Sequence, residues 1–197
     1  MAEFYVLQQD HKEKEMSFVQ YSIPEAIDSR KTEDNISNDG KSLAEIIQGP
    51  ESLIFHAEHS QNPTDFPISV SGHKIVSEKF KTVLESIVTD EVEFFEVQLF
   101  GPVANKNVTQ KYYLINLVKV CSAMDYEKSE YFQLSNGFVE EIDHFVIDHT
   151  KVENEKIFRL GEVLHVLIVN DETKEAIEAA SISGVKFKPL EGYTYPF

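Results

Sequence analysis

The second half of the chain is built from short runs of β-branched and aromatic residues, and this feature limits the possible folds more than any other. Seven such runs follow one another: VEFFEVQLF (92–100), KYYLINLVKVC (111–121), EYFQL (130–134), GFVEEI (137–142), HFVIDH (144–149), IFRL (157–160) and HVLIV (165–169). Residues of these types favour strands. Because few helical segments separate the runs, the sequence predicts an α+β protein with a mainly antiparallel sheet and a few flanking helices.

Two of these runs carry further information. Asn136-Gly137 separates two of them, and this dipeptide is typical of a type I′ β-hairpin. The run at 111–121 is apolar on both parities, which predicts a central strand covered on both faces. Cys121, the only cysteine, lies in that run, so we expect a buried and unreactive thiol.

Two segments show the features of helices that flank the strands. The first runs from about Ser77 to Ile87, with apolar residues spaced i, i+3, i+4 and i+7 on one face. The second, DETKEAIEAA, follows Asn170 or Asp171 as the N-cap, and Gly184 is its expected C-cap. A last strand, VKFKPL, is predicted after it.

The first third of the chain has weaker signals. EFYVL predicts a short opening strand, and the polar residues 28–41 predict a long loop. Ser42 and Glu45 match a capping box, so a short helix is expected there, ended by Gly49-Pro50. We expect one domain over residues 1–197, with an acidic, loop-rich portion at 1–66 and an α+β core at 67–197.

The chain is strongly acidic. It has 34 Asp and Glu against 18 Lys and Arg, a formal net charge of −16, and its first 66 residues hold 13 of the acidic residues and only five of the basic ones. Such a charge repels nucleic acid and anionic membranes. It is typical of ordinary soluble proteins, and the alternative is that it steers the chain towards a basic partner. The apolar runs are too short to span a bilayer, and the N-terminus does not resemble a signal peptide. A cytoplasmic location is therefore expected.

The stretch ESLIFHAEHSQNP suggests a metal site, because His56 and His59 are three residues apart with Glu58 between them. If the segment is a strand, the two rings point to opposite faces. If it is a helix, the spacing differs from the i, i+4 pair of zinc proteases. We therefore interpret both histidines as surface residues and predict no metal ligands here.

A second acidic and imidazole-rich stretch, EEIDHFVIDHTKVENE, begins at Glu140. Carboxylate and imidazole groups together can bind metal or transfer protons, so a metal-dependent hydrolase using His144, His149 and nearby acids is one alternative. Strand alternation argues against it, because it places Asp143 with Phe145 on one face and His144 on the other. Nucleophile elbows and glycine-rich phosphate loops are absent from the sequence. The sequence thus predicts neither an enzyme nor a cofactor.

Several stretches, taken in order, resemble a bacterial family once described as a domain of unknown function and now grouped with the immunity proteins of polymorphic toxin systems. The stretches are IVSEKFKTVLES (75–86), VEFFEVQL (92–99), YYLINLVKVCSAMDYEKS (112–129), IFRLGEV (157–163) and HVLIVNDETKEAIEAASISGVKF (165–187). They include a turn from Asp125 to Ser129, and the resemblance covers about residues 66–190. The first third is similar only around EFYVL and SLAE.

The resemblance implies a binding protein without catalytic residues, which neutralises a cognate toxin by direct association in the cytoplasm of the producing cell. The acidic charge agrees with a basic toxin. We expect contacts from acidic residues beside the Asn-Gly hairpin: Glu140, Glu141, Asp143 and Asp148. A general interaction or scaffold domain without a toxin partner remains the main alternative, and the hydrolase is the weaker one.

Overall fold

The computed structural model describes residues 2–10, 18–22, 40–45, 47, 49, 54–57, 63–69, 73–88, 90–101, 108 and 110–196, with the backbone alone for residues 18–22 and Phe55. Most of the predicted loop at 28–41 lies outside these residues. Glu58 and His59 of the HAEH stretch lie outside them as well.

The described part of the chain contains thirteen strands and two α-helices. The strands are β1 (Phe4–Gln9), β2 (Phe18–Ser22), β3 (Ile54–Ala57), β4 (Ile68–Ser69), β5 (Ile75–Ser77), β6 (Val92–Phe100), β7 (Tyr112–Leu117), β8 (Val120–Cys121), β9 (Glu130–Gln133), β10 (Val139–His144), β11 (Ile157–Leu160), β12 (Leu167–Asn170) and β13 (Val185–Pro189). The helices are α1 (Glu78–Glu85) and α2 (Asp171–Ala179), and a 3₁₀ turn covers His149–Lys151.

The strands form two large sheets and one separate hairpin. The first sheet has the order β13-β1-β12-β11-β8, the second has the order β4-β2-β3-β6-β7-β5, and β9 pairs with β10. Most neighbouring strands are antiparallel, but β2–β4, β3–β6 and β8–β11 are parallel. The predicted α+β class is confirmed, whereas the sheets are mixed, so the expectation of a mainly antiparallel sheet is only partly met.

Both predicted helices are present, and side chains cap their first turns. Ser77 Oγ accepts a hydrogen bond from the Phe80 N–H at 3.2 Å, and Asn170 Oδ1 accepts one from the Thr173 N–H at 2.9 Å. The N-cap of α2 is therefore Asn170 rather than Asp171. These caps satisfy backbone donors that the first helical turn leaves without an intrahelical partner.

The predicted C-cap of α2 is wrong. The helix ends at Ala179 with Ala180 as its C-cap, and Ser181 rather than Gly184 takes the left-handed conformation that follows, with φ +51°. Gly184 has φ +78° in the next turn, where an added Cβ would lie 2.8 Å from the Phe66 carbonyl oxygen. Glycine is needed there because another part of the backbone passes too close for a side chain.

A central hydrophobic core joins the two large sheets and both helices. Phe80 and Leu84 of α1, Ile177 of α2, Ile115 of β7 and Val169 of β12 are all buried in it. Further buried clusters cover the opposite faces of the two sheets. All six residues of β7 are buried, which confirms the prediction of a central strand covered on both faces.

The run predicted as one strand at 111–121 is two strands in different sheets. β7 ends at Leu117, and the chain then crosses to the first sheet, where Val120 pairs with Arg159 of β11. The buried guanidinium of Arg159 donates from Nε to the Leu117 carbonyl at 2.8 Å, and the Arg159 N–H donates to the Lys119 carbonyl at 2.8 Å. Arg159 therefore holds the crossing in place.

A short helix is predicted from the capping box, but the described residues of that segment show only a single turn. The Ile47 N–H donates to the Leu43 carbonyl at 3.0 Å, and the described residues before it are not helical. The cap partner is Glu93 of β6 instead of Glu45. The Glu93 carboxylate accepts from the Leu43 N–H at 2.9 Å and from the Ser42 hydroxyl.

Candidate functional site

The β9–β10 hairpin, with its turn, carries three of the six large hydrophobic residues that are exposed in the described part of the chain. Its turn is closed by hydrogen bonds from the Leu134 N–H to the Phe138 carbonyl and from the Gly137 N–H to the Leu134 carbonyl, both at 2.9 Å. Gly137 has φ +87°, whereas among the described non-glycine residues only Ser181 has a positive φ. A type I′ turn needs positive φ at both central residues, so the hairpin is confirmed but its turn is of the G1-bulge type.

Irregular pairing separates the two faces of this hairpin. Register shifts occur between Val139 and Glu141 and between Ile142 and His144. As a result, Val139, Ile142 and Phe145 are buried at intervals of three residues, and the residues between them are exposed. The simple alternation predicted for Asp143 and Phe145 is therefore wrong, because each bulge adds a residue to the strand.

The stretch HFVIDH (144–149), predicted as a strand of its own, is not one. Its first residue ends β10, Ile147 forms a single bridge with Met124, and the chain then enters the 3₁₀ turn.

The C-terminal segment holds the hairpin to the body of the protein. The Ile142 N–H donates to the Tyr195 carbonyl at 2.7 Å, and the Tyr195 N–H donates back at 2.8 Å.

The outward face of the hairpin is apolar. We define it by Phe132, Leu134 and Phe138, whose side chains are 52%, 38% and 59% exposed. Leu134 and Phe138 face each other across the turn, and Phe132 is paired with Glu141 on the neighbouring strand. Large apolar side chains that are exposed together are often found where a protein contacts a partner.

A groove lies beside this outward face. Its volume is about 490 Å³, and the Phe138 side of the hairpin tip forms one wall. The turn between β11 and β12 forms the other wall through Leu164, which is also exposed. Tyr126 contributes a second exposed ring beside that of Phe138. The groove extends the apolar surface beyond the hairpin itself.

Three of the four predicted contact carboxylates lie on this hairpin. Glu140, Glu141 and Asp143 are exposed residues of β10. None of the salt bridges formed among the described residues involves them. They therefore add a local negative charge beside the outward face.

Asp148, the fourth predicted residue, is already engaged. Its carboxylate accepts from the Thr150 hydroxyl at 2.6 Å and the Thr150 N–H at 3.1 Å, and it pairs with Lys151 at 3.3 Å. The bond from the Thr150 hydroxyl is the main cause that lowers the pKa of Asp148 below its usual range, and Lys151 adds to it. Asp148 caps the 3₁₀ turn that follows β10.

The histidine-rich stretches do not assemble a metal site in the described part of the chain. No group of three or more His, Cys, Asp or Glu side chains there is arranged to hold a metal ion. His56 is exposed and stacks on Phe100, with ring centroids 5.5 Å apart, and the ring of His149 lies 6.2 Å from Phe4. Cys121 is buried as expected, and burial raises the pKa of its thiol.

The sequence interpretation missed the outward face. EYFQL has apolar residues on both parities, and GFVEEI begins with a Phe directly after the glycine of the turn. Because an edge hairpin can bury only one face against the body, apolar residues on the other parity must be exposed. That pattern was the available signal for Phe132, Leu134 and Phe138.

The described residues thus combine an exposed apolar face on one hairpin with three neighbouring carboxylates, and they hold no group of His, Cys, Asp or Glu side chains arranged for a metal ion. A family model for immunity proteins matches residues 3–192. The chain belongs to this family, the Immunity protein family (Imm11). The match reaches well beyond the 66–190 expected from the motifs and includes the first third of the chain.

No curated protein matches the chain significantly. Within the described residues, neither α1 nor α2 has the length and apolar character needed to cross a bilayer.

Proposed function

We propose that this chain binds and neutralises a cognate bacterial toxin by direct association and catalyses no reaction itself. The single observation that carries the proposal is the outward face of the β9–β10 hairpin. There, Phe132, Leu134 and Phe138 are exposed beside the carboxylates of Glu140 and Glu141. Membership of an immunity protein family supports a toxin as the partner of this surface.

The exposed aromatic side chains of the hairpin suit a protein partner. Protein interfaces derive most of their binding free energy from a few buried anchors, and aromatic residues are enriched among these. Phe132 and Phe138 are each more than 50% exposed. More than half of the surface of each residue is therefore available for a partner to bury. The groove between Phe138 and Leu164 can accept a side chain of the toxin.

The carboxylates complement a basic toxin. Glu140, Glu141 and Asp143 surround the apolar face with negative charge, and the whole chain carries a formal charge of −16. Opposite charges at the rim of an interface raise the association rate and select the partner. We assign these three residues as toxin contacts. Asp148 contributes less, because Thr150 and Lys151 already engage its carboxylate.

We further propose that residues 1–197 form one domain, which acts in the cytoplasm of the producing cell. β1, from the first third of the chain, lies between β12 and β13 in the first sheet. β3, from the same third, pairs with β6 in the second sheet. Strands of the acidic portion thus complete both sheets of the core.

The direct test is co-expression with the product of the neighbouring gene, which we expect to be the toxin. We expect the chain to suppress the lethality of the toxin and to purify with it as a stoichiometric complex. Lethality that persists while the folded chain is expressed would contradict the proposal. A complex that forms without protecting the cell would favour the scaffold alternative.

A second test addresses the charge. The variant E140Q/E141Q should lower the association rate at low salt, and the rate of the unmodified chain should fall as salt increases. The matched control is E172Q/E175Q, which removes two charges from α2, on the other face of the first sheet. An association rate that is independent of salt, or equal effects of the two variants, would contradict a role for the hairpin carboxylates.

A further inference from the structure

β9 forms one edge of the separate β9–β10 hairpin. Within the described part of the chain, β10 is the only strand that pairs with β9, whereas the other side of β10 carries the bridge from Ile142 to Tyr195. An edge strand presents backbone N–H and C=O groups that a strand of another chain can use. The proposed toxin neutralisation uses side chains of this hairpin, but it does not yet use this backbone edge.

Tyr131 directs its backbone groups to the outer edge of β9. It lies opposite Ile142 of β10. The Ile142 N–H donates to the Tyr195 carbonyl at 2.7 Å, and the Ile142 carbonyl accepts from the Tyr195 N–H at 2.8 Å. Opposite residues of an antiparallel pair direct their backbone groups either towards each other or away from each other. Because Ile142 bonds on the side of Tyr195, the N–H and C=O of Tyr131 point away from β10.

Gln133 presents the same two groups further along the edge. Successive residues of a strand direct their backbone groups to opposite sides, so Gln133 points the same way as Tyr131. The Leu134 N–H agrees with this alternation, because it donates to the Phe138 carbonyl at 2.9 Å across the hairpin. Two N–H groups and two C=O groups therefore lie in a row on the outer edge of β9.

The sequence of β9 lacks the usual protection of an edge strand. Proteins commonly block exposed edges with proline, with lysine, or with bulges in the edge strand itself. The four residues of β9, EYFQ, include neither proline nor lysine, and the extra residues at the two register shifts belong to β10. Phe132 and Gln133 are exposed, so no described residue covers this end of the strand. The edge is thus open to pairing.

Local charge indicates which partner can pair there. Glu130, the first residue of β9, is exposed and takes part in none of the salt bridges among the described residues. Glu140 and Glu141 add further carboxylates on the neighbouring strand. A second copy of this chain, with its formal charge of −16, would bring like charges together, whereas a segment that contains Lys or Arg is attracted.

We propose that an extended segment of the cognate toxin adds to β9 as a further strand and bonds to the backbone groups of Tyr131 and Gln133. This inference rests on the proposed toxin neutralisation and specifies how the toxin docks. In an added strand, alternate side chains lie on the same face as Phe132 and Leu134. These side chains are apolar, matching the outward face of the hairpin, and a Lys or Arg of the segment lies beside Glu130.

Amide hydrogen exchange, followed by NMR, tests the edge one residue at a time. In the chain alone, we expect the amides of Tyr131 and Gln133 to exchange quickly and that of Leu134 to exchange more slowly. In the complex with the product of the neighbouring gene, exchange at Tyr131 and Gln133 should slow by about tenfold or more. Slow exchange at both residues in the chain alone, or unchanged exchange in the complex, would overturn the proposal.

Two variants of one residue separate the backbone from the side chain. Gln133→Pro removes the outward N–H and places a ring in the path of an added strand, while the bonds to β10 remain. It should weaken binding of the neighbouring gene's product by about tenfold or more. The matched control, Gln133→Ala, loses the side-chain bond to the Gly137 carbonyl but keeps the N–H, and should weaken binding by less than about threefold. Circular dichroism verifies that both variants are folded.

The outcomes separate this inference from the proposed function. Equal binding and equal protection by the two Gln133 variants would overturn the added strand and leave toxin neutralisation intact. A complex that slows exchange at Tyr131 and Gln133 without protecting the cell would contradict neutralisation and support the added strand. Dimers of the chain alone that protect these two amides would overturn the toxin as the occupant of the edge. The absence of any complex would overturn both proposals.

Discussion

Asn116 and Glu93 lie opposite each other on β7 and β6, and the Asn116 side-chain amide donates a hydrogen bond to Glu93 Oε2 at 2.9 Å. Asn116 is fully buried, and its amide also donates to the Lys41 carbonyl at 2.8 Å. Glu93 in turn accepts from the Leu43 N–H. The pair thus fastens the segment around residue 42 to the centre of the second sheet.

We therefore expect Asn116→Ala to lower the free energy of unfolding by about 1–3 kcal/mol, because it leaves buried polar groups without partners. Chemical denaturation measures the change. The control is Glu96→Gln on the same strand as Glu93, which removes only an exposed ion pair with Lys111. It should change stability by less than about 1 kcal/mol. Similar losses in both variants would contradict the role of the network.

Acid should destabilise the protein partly through His73. Burial, with a smaller effect of the Lys74 charge, lowers the pKa of His73 from 6.5 to about 4. Above pH 6.5 the ring is neutral in both the folded and unfolded states, so it has no effect. As the pH falls from 6.5 towards 4, the unfolded chain takes up a proton that the folded chain does not, and stability is lost at about 1.4 kcal/mol per pH unit.

His73→Gln should therefore reduce the slope of unfolding free energy against pH between 6 and 4.5. The comparison is His56→Gln, which alters an exposed ring and should keep the slope of the unmodified chain. The measurement is chemical denaturation at several pH values in that window. Identical slopes in all three proteins would refute the assignment.

The outward face of the hairpin should govern affinity and leave stability unchanged. Phe138→Ser should weaken toxin binding by about 2 kcal/mol or more, as expected for an aromatic anchor, and change stability by less than about 0.5 kcal/mol. Binding is measured by calorimetry. Val120→Ser removes an exposed apolar side chain from β8 and should not affect binding. A Phe138→Ser protein that binds as tightly as the parent would remove this residue from the interface.

Asp143 and Asp148, both predicted as contacts, should behave differently. Asp148→Asn should lower the thermal unfolding midpoint, because the carboxylate caps the 3₁₀ turn, and should affect toxin affinity less than Asp143→Asn does. The pKa of Asp148 is lowered in the folded protein, so its contribution to stability is present above pH 3.8 and is lost as the pH falls below that value. Equal stability of both variants would contradict the distinction.

Much of the fold could be predicted because its signals are local. Short stretches of sequence predict where both helices begin, the apolar face with Phe80 and Leu84, and most strands. The crossing of the chain from the second sheet to the first after Leu117 could not be predicted. It depends on the buried guanidinium of Arg159, about 40 residues further along the chain. The bulges of β10 likewise depend on pairing with β9.

The candidate site, like the fold, could be predicted only in the features that depend on local sequence. Charge density beside the Asn-Gly turn pointed to the hairpin that carries the outward face, and Glu140, Glu141 and Asp143 are exposed on it, while their role as toxin contacts stays a prediction. The sequence does not reveal that Asp148 already has partners, because Thr150 and Lys151 reach it only once the 3₁₀ turn has formed. The exposure of the apolar residues on the outward face is hard to predict from composition, because strands usually bury their aromatic side chains.

The attachment of the hairpin has an evolutionary consequence. Its inward residues, Val139 and Ile142, and the backbone bridge to Tyr195 secure it to the body, while Phe132 and Phe138 contribute little to folding. Substitutions on the outward face should therefore have little effect on folding but a direct effect on binding to a partner. Descendants of one ancestral chain can diverge there in step with the proteins they bind, while the remainder of the molecule stays the same.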